Sequence, residues 1–309
     1  MRCKNLSEIV AVIKAAIDKE KEECPESGCE FFFRGESKNF ESDDDSVALG
    51  TAFKSTLDRK GLVEYERELY EDAMRLNVAD FYEDRTMAER ICRMQHYSLP
   101  TRFADVCENA LLSTHFACGA GDPHHDPDRD GYIRIIKVAK HKLKSFNSDI
   151  IIAISHLPLV KPDQIDLTSE DGVDYLRYEI MNDRPGFQID RAPNGMKRLL
   201  IEQLQQVWAF RPIINNRRVR AQSGLFLAFG CGQNKQSLQT TFAPEDYEDK
   251  NAPTYGIKQV GYVQIASEAK DNIRDELRYF GMSGEVAYPE LSDACKELDR
   301  KYQESNEGN

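Results

Sequence analysis

The chain has 309 residues, 40% of them hydrophobic and 30% charged, with 53 acidic side chains against 41 basic ones and a net charge of −12. Such a length accommodates one large domain or two modest ones, and the composition is that of a soluble globular protein. The acidic balance argues against broad nucleic-acid binding, which needs many phosphates neutralised. No apolar run approaches the roughly 18 residues of a membrane span, so no membrane partner is expected. Eight cysteines are spread singly, without a Cys-x-x-Cys pair, and read as reduced thiols in a cytoplasmic setting. The N-terminus runs directly into an amphipathic stripe without the apolar core of a secretory signal.

In chain order, Leu6, Ile9, Val10, Ile13, Ala16 and Ile17 mark an amphipathic helix over about residues 6–22. Phe31-Phe32-Phe33 reads as a short buried strand that delivers Arg34 at its end, with Gly35 freeing the backbone beside it. A polar acidic loop follows over 37–46, then helical stretches over 48–60, 62–76 and 87–95. Leu99-Pro100-Thr101 breaks the pattern, because proline ends a helix and biases the residue before it to extended geometry. After the break Phe103, Val106, Ala110, Leu111, Thr114 and Ala117 predict a buried helix, with Asp105 in its first turn and Thr101 as an N-cap or ligand donor.

Residues 119–131 are loop. Tyr132–Val138, Ile150–Ile154, Leu225–Phe229 and Ile257–Ile265 read as strands. Helices are expected near 171–180, over 197–207, 273–279 and 291–302, with 303–309 as a disordered tail. Regular βαβ alternation is absent. The expected fold is therefore α+β, a single compact unit over 1–302, with helices mainly in the first third packed on a mixed or antiparallel sheet formed largely by the second half.

Gln95-His96-Tyr97-Ser98-Leu99-Pro100-Thr101-Arg102 with Asp105, and the Phe33-Arg34-Gly35 triplet about sixty residues upstream, resemble the signature of the FRG domain family. Arg220-Ala221-Gln222-Ser223-Gly224-Leu225-Phe226 is similar to a third element, and the run from Ile273 to Leu291 to a fourth. The motif core would span 30–119, completed by strands and helices of 131–302. The family commonly continues Thr-Arg-Leu-Leu-Asp-Trp-Thr, whereas Phe103-Ala104-Asp105-Val106-Cys107 lacks the Trp and the Thr.

Arg34 at a strand mouth suits bidentate binding of phosphate or carboxylate, or an ion pair with a nearby carboxylate such as Asp105. Its Arg-Gly context is also similar to what arginine-specific ADP-ribosyltransferases use for the nicotinamide dinucleotide. His96 could bond a ribose hydroxyl or act as a general base, and Arg102 could neutralise an anion. Asp105 would orient an arginine or stabilise positive charge on a ribose. Gln222 follows a basic patch (Arg211, Arg217, Arg218, Arg220) beside Trp208, which could stack on a base or simply pair with the acidic surface. Asp126, Asp128, Asp130 and Gly131 imitate part of a calcium loop, but position twelve is Lys137 and a strand follows, so no metal is expected. Cys107 has the surroundings of a buried thiol.

These readings assemble a ligand pocket from Arg34, Gly35, Gln95, Thr101, Arg102 and Gln222, with His96 and Asp105 as catalytic candidates. The ligand would be an anionic, nucleotide-like molecule. The resemblance extends this to NAD as substrate, in ADP-ribosyl transfer or NAD hydrolysis. No Glu-x-Glu motif stands out as catalytic, since the glutamate runs lie on helical stretches. The alternative is a non-catalytic module that recognises a nucleotide or a protein partner.

Overall fold

Strand β2 (Cys29–Glu36) and strand β4 (Gly131–Ala139) pair antiparallel along their whole length and form the axis of the molecule. A computed structural model describes residues 2–23, 28–119, 126–160, 166–167, 169–183, 200–214, 220–221, 224–232 and 242–289. Within them β1 (Arg2–Cys3), β3 (Phe103–Cys107), β5 (Leu143–Ser145), β6 (Val207–Arg211), β7 (Gly224–Phe229) and β8 (Ile257–Ile265) complete one sheet. Its order is β1-β8-β4-β2-β3-β7-β6-β5. Both end pairs are parallel and the others antiparallel, so the sheet is mixed and the fold α+β. The strands come from both halves of the chain.

Alternation along each strand sorts the core. Phe226 and Ala228 join a cluster under α4 (Met87–His96), α6 (Asp149–His156) and α7 (Glu170–Asp183). Phe33, Ile133 and Ile135 join another under α1 (Leu6–Glu23), α5 (Ala110–Ala117) and α8 (Lys270–Tyr279). Phe32, Ala104, Val106, Leu225, Leu227 and Phe229 turn the other way and pack with Phe53 and Phe242. Two short helical elements complete the first third, α2 (Thr56–Arg59) and α3 (Glu66–Leu76). No helix among the described residues is long and apolar enough to cross a membrane.

Several expectations fail here, and of the helix expected over 48–60 only Thr56–Arg59 is helical. Residues 103–107 are strand β3, not the start of a buried helix. Their apolar spacing also fits a strand buried on both faces, and β7 supplies the pairing that decides it. The helix starts only after Asn109, whose side chain caps the Leu111 and Leu112 amides at 2.9 and 3.4 Å; Thr101 is no N-cap. Conversely Ile150–Ile154 lies in α6, not in a strand. That helix is buried all round, so it leaves no polar stripe to reveal its period, and tertiary packing overrides β-branched propensity. Of the helix expected over 197–207, residues 200–204 are helical and Val207 already opens β6. The expected helix over 291–302 and tail over 303–309 lie outside the described residues.

Gly35 has a different reason from the one its sequence context offers. It is not in the positive-φ region; a Cβ there would meet the Ser113 carbonyl oxygen at 2.0 Å. One turn on, the Ala117 carbonyl would meet a Cβ on Gly131 at 2.1 Å. The two glycines thus let one carbonyl row of α5 lie directly on the sheet. Gly35→Ala should therefore lower stability by about 2–3 kcal/mol in chemical denaturation. Gly261→Ala, where the nearest contact is an ordinary 3.7 Å to Ala16, should change it far less.

Candidate functional site

β2 and β3 share a single residue pair, Phe33 with Cys107, while β2 stays paired with β4 and β3 with β7. Beyond that pair the central strands part. Arg34 and Glu36 from β2 and Asp105 from β3 stand at the split. The C-terminal end of α4 brings Gln95 to Asp105 while His96 beside it is buried, and the turn after it is tight enough to hold Ser98 at φ 66°. The sheet thus opens where the sequence places its motifs.

Arg34 reaches across the gap. Its Nη1 donates to the Asp105 carbonyl at 2.7 Å and lies 3.6 Å from the Asp105 carboxylate, while its Nε donates to Glu36 at 3.2 Å. Glu36 is shared: its second oxygen accepts from Nε of Arg134 at 2.9 Å. Arg134 stands opposite Arg34 in the β2–β4 register and also donates to Glu41 at 2.8 Å and to Gln259 at 2.8 Å. Gln95 donates to the Asp105 carboxylate at 2.9 Å, and its amide is oriented by the Thr101 hydroxyl, 2.8 Å from Gln95 Oε1. His96 is buried edge-on against Phe226, ring centroids 5.3 Å apart.

Burial pushes the Glu36 carboxyl up, but the charges of Arg134, Arg34 and Arg59 outweigh it and hold Glu36 below the usual carboxylate range. For Asp105 burial again acts upward, and Arg34, the Gln95 amide and His96 reverse it. Yet 42% of the Asp105 side chain is open to solvent, against 11% for Arg34. A carboxylate that is both desolvated and reachable borders the split between β2 and β3. It is ionised at neutral pH.

Arg59, from α2, is the cation the sequence did not single out. It is half-buried, with its guanidinium 4.5 Å from the Phe40 ring centroid and only a 3.4 Å contact to Thr56 Oγ1. Burial and the repulsion of Arg34 lower its pKa, against Glu36 and Asp105, which raise it. No carboxylate lies within ion-pair distance of it among the described residues. Glu36 was legible in principle, since a residue two positions from Arg34 shares its strand face. Arg134 and Arg59 depend on register and loop placement.

Other expected site residues go elsewhere. Arg102 is not available to an anion: it is buried, pairs with Glu66 through both Nε (2.6 Å) and Nη2, and donates to the Phe229 and Gly230 carbonyls. Gly35 faces α5, so its place in the pocket is structural. Trp208 is buried, its indole N–H on the Gln203 carbonyl and its face 3.9 Å from Lys142 Nζ, so it is no open stacking platform. Arg211 pairs with Glu30 and Glu108 on the surface. Gln222, Arg217 and Arg218 lie outside the described residues. Asp130 is occupied by Arg2 at 2.6 and 2.7 Å, and no group of three metal-ligating side chains gathers among the described residues. Burial raises the Cys107 thiol to about 12, so it is not an activated nucleophile.

Residues 30–126 match the family model described as FRG domain. An FRG domain is therefore present over this segment, about a third of the chain, which takes in β2 from Glu30, β3, α4, α5 and every member of the cluster except Arg134 and Gln259. Comparison with curated proteins and with solved structures gives no match.

Removing one partner of a buried pair strands the other charge. Arg102→Ala should therefore cost roughly 3–5 kcal/mol in denaturant unfolding, well beyond an exposed-arginine control such as Arg75→Ala. The pH dependence follows from depressed carboxyl pKa values. Stability supplied by Glu36 and Asp105 is full above the ordinary carboxylate range and is lost as pH falls through that range toward their folded pKa values. Acid titrations should show a shallower loss in Glu36→Gln than in the wild type; an identical slope would remove Glu36 from the account.

Proposed function

We propose that the β2–β3 split binds an anionic, nucleotide-like ligand, with Arg59 as the principal anion contact. The observation that carries this reading is a half-buried guanidinium with no carboxylate within ion-pair distance among the described residues, near enough to Arg34, Glu36, Asp105 and Arg134 to feel their charges, where Arg34 and Arg134 are already paired. Such a cation is short of negative charge. A phosphate or pyrophosphate group supplies it through charge-assisted hydrogen bonds. Arg34 supports the same pole, while Gln95 and Thr101 hold the opposite wall in register.

A second reading is favoured by Asp105, ionised and partly open to solvent beside the split, with His96 near enough to act on its charge. If the ligand is NAD, that carboxylate faces the ribose C1′. Cleavage breaks the C1′–N bond, nicotinamide leaves with the bonding electrons, and water or an acceptor nucleophile forms the new bond to C1′ and gives up its proton. In this reading Asp105 stabilises the developing positive charge, and His96 takes the role of orienting a ribose hydroxyl or accepting the proton. This makes the domain an ADP-ribosyltransferase or NAD glycohydrolase. Its alternative is a recognition module that binds without turnover.

Titration calorimetry with ADP-ribose and NAD, with nicotinamide release followed in parallel, tests both readings. Arg59→Ala should weaken binding by about 1.5–3 kcal/mol, roughly ten- to a hundredfold in Kd, with the thermal midpoint almost unchanged. Asp105→Asn should retain binding and abolish nicotinamide release. Binding without release in the wild type would leave the recognition module, and absence of binding by either compound would overturn the nucleotide reading.

A further inference from the structure

A cavity of about 710 Å³, in whose lining neither Arg59 nor Asp105 takes part, opens between α3, the turn Val78–Phe81 and the C-terminal end of α4. Its floor is apolar, from Leu69, Ala73, Phe81 and Met94. At its edges Tyr65, Leu76 and Tyr97 are each more than half exposed, at 57%, 66% and 58%. An apolar patch of this kind with a polar rim marks an interaction surface.

Charge on the rim narrows the occupant. Arg93 is fully engaged by Asp84 at 2.6 and 2.8 Å, and Asp72 takes Arg75 at 3.0 Å. Glu68 and Asp80 have no ion pair among the described residues. The unspent charge of the groove is therefore negative. A second copy of a chain with net charge −12 would bring like charge to it. The walls are helical, with their backbone groups already bonded, so strand addition is not available to a partner. An amphipathic helix remains.

We propose that this groove is a docking site for a basic amphipathic helix of a partner protein. Apolar side chains on one face of that helix seat against Leu69, Ala73, Phe81 and Met94, and lysines or arginines beside them meet Glu68 and Asp80. Met94 and Leu99 bracket the residues Gln95 and His96, so the docked helix lies on the back of the turn that forms the ligand recess. The proposal stands whether or not the recess takes a nucleotide.

The test is fluorescence anisotropy of a labelled helical peptide with a leucine face and a lysine face, against its counterpart with glutamate for lysine. The lysine peptide should bind saturably and the glutamate peptide should not. The double variant Glu68→Lys, Asp80→Lys should weaken binding by about tenfold or more, and more at low salt than at high. Leu76→Ser should weaken it at every salt concentration, while Glu22→Lys on α1 should leave it unchanged. Equal binding of both peptides, or equal loss in the Glu22→Lys and groove variants, would overturn the proposal. So would a concentration-dependent dimer in light scattering that Leu76→Ser abolishes, which would assign the groove to a second copy.

Discussion

The centre of this fold depends on one carboxylate, Glu36, held between two guanidiniums. Arg34 and Arg134 stand directly opposite each other on neighbouring strands, an arrangement that like charges oppose, more so away from water. Each Glu36 oxygen accepts from one of them, at 3.2 and 2.9 Å. That sharing lets both arginines be buried. It fastens β2 to β4 and leaves the other edge of β2 free to part from β3 after a single pair. The split in the sheet and the balance of charge inside it are one construction.

A second buried pair is separate from the first and has a different task. Arg102 and Glu66 tie the start of α3 to the ends of β3 and β7, where the arginine also meets two carbonyls. The motif from Gln95 to Arg102 is therefore divided. Gln95 and Thr101 hold the Asp105 carboxylate at the split, Leu99 lines the outer groove, and Arg102 is buried against Glu66 beneath them. Truncating Arg34 or Arg102 would deprive a buried carboxylate of a partner in each case, but only Arg34 keeps some contact with solvent, at 11% against 2%.

Around this framework the charges are unequal in availability. The paired arginines are committed; Arg59 is not paired among the described residues, and the Asp105 carboxylate is open enough to meet a bound molecule. The ligand proposed above, anionic at one end and acquiring positive character at the other, would meet this unpaired cation and this ionised carboxylate. On the outer side of α4 the free charges are acidic instead. Which charges stay unpaired on the two sides follows from which ion pairs the fold has already closed.

The sequence by itself determined the elements whose period is unambiguous and the family of their motifs. The stripe of α1, the Phe31–Phe33 strand with Arg34 at its end, α4, β4 and β8 all carry their structure in local spacing. The Arg34–Asp105 approach was also within reach, because two opposite charges flank motifs that must converge. Tertiary structure decided the rest. A segment buried on all sides has no polar face to report its period, which is why β3 and α6 could be told apart only by their neighbours. Gly35 is needed because α5 lies on it, a contact with a helix nearly eighty residues away. Arg102 and Arg34 look alike in sequence as anion binders, yet Glu66 closes one and the parting of two strands opens the other. Which arginine remains short of a carboxylate is a property of register and burial, and no local pattern encodes it.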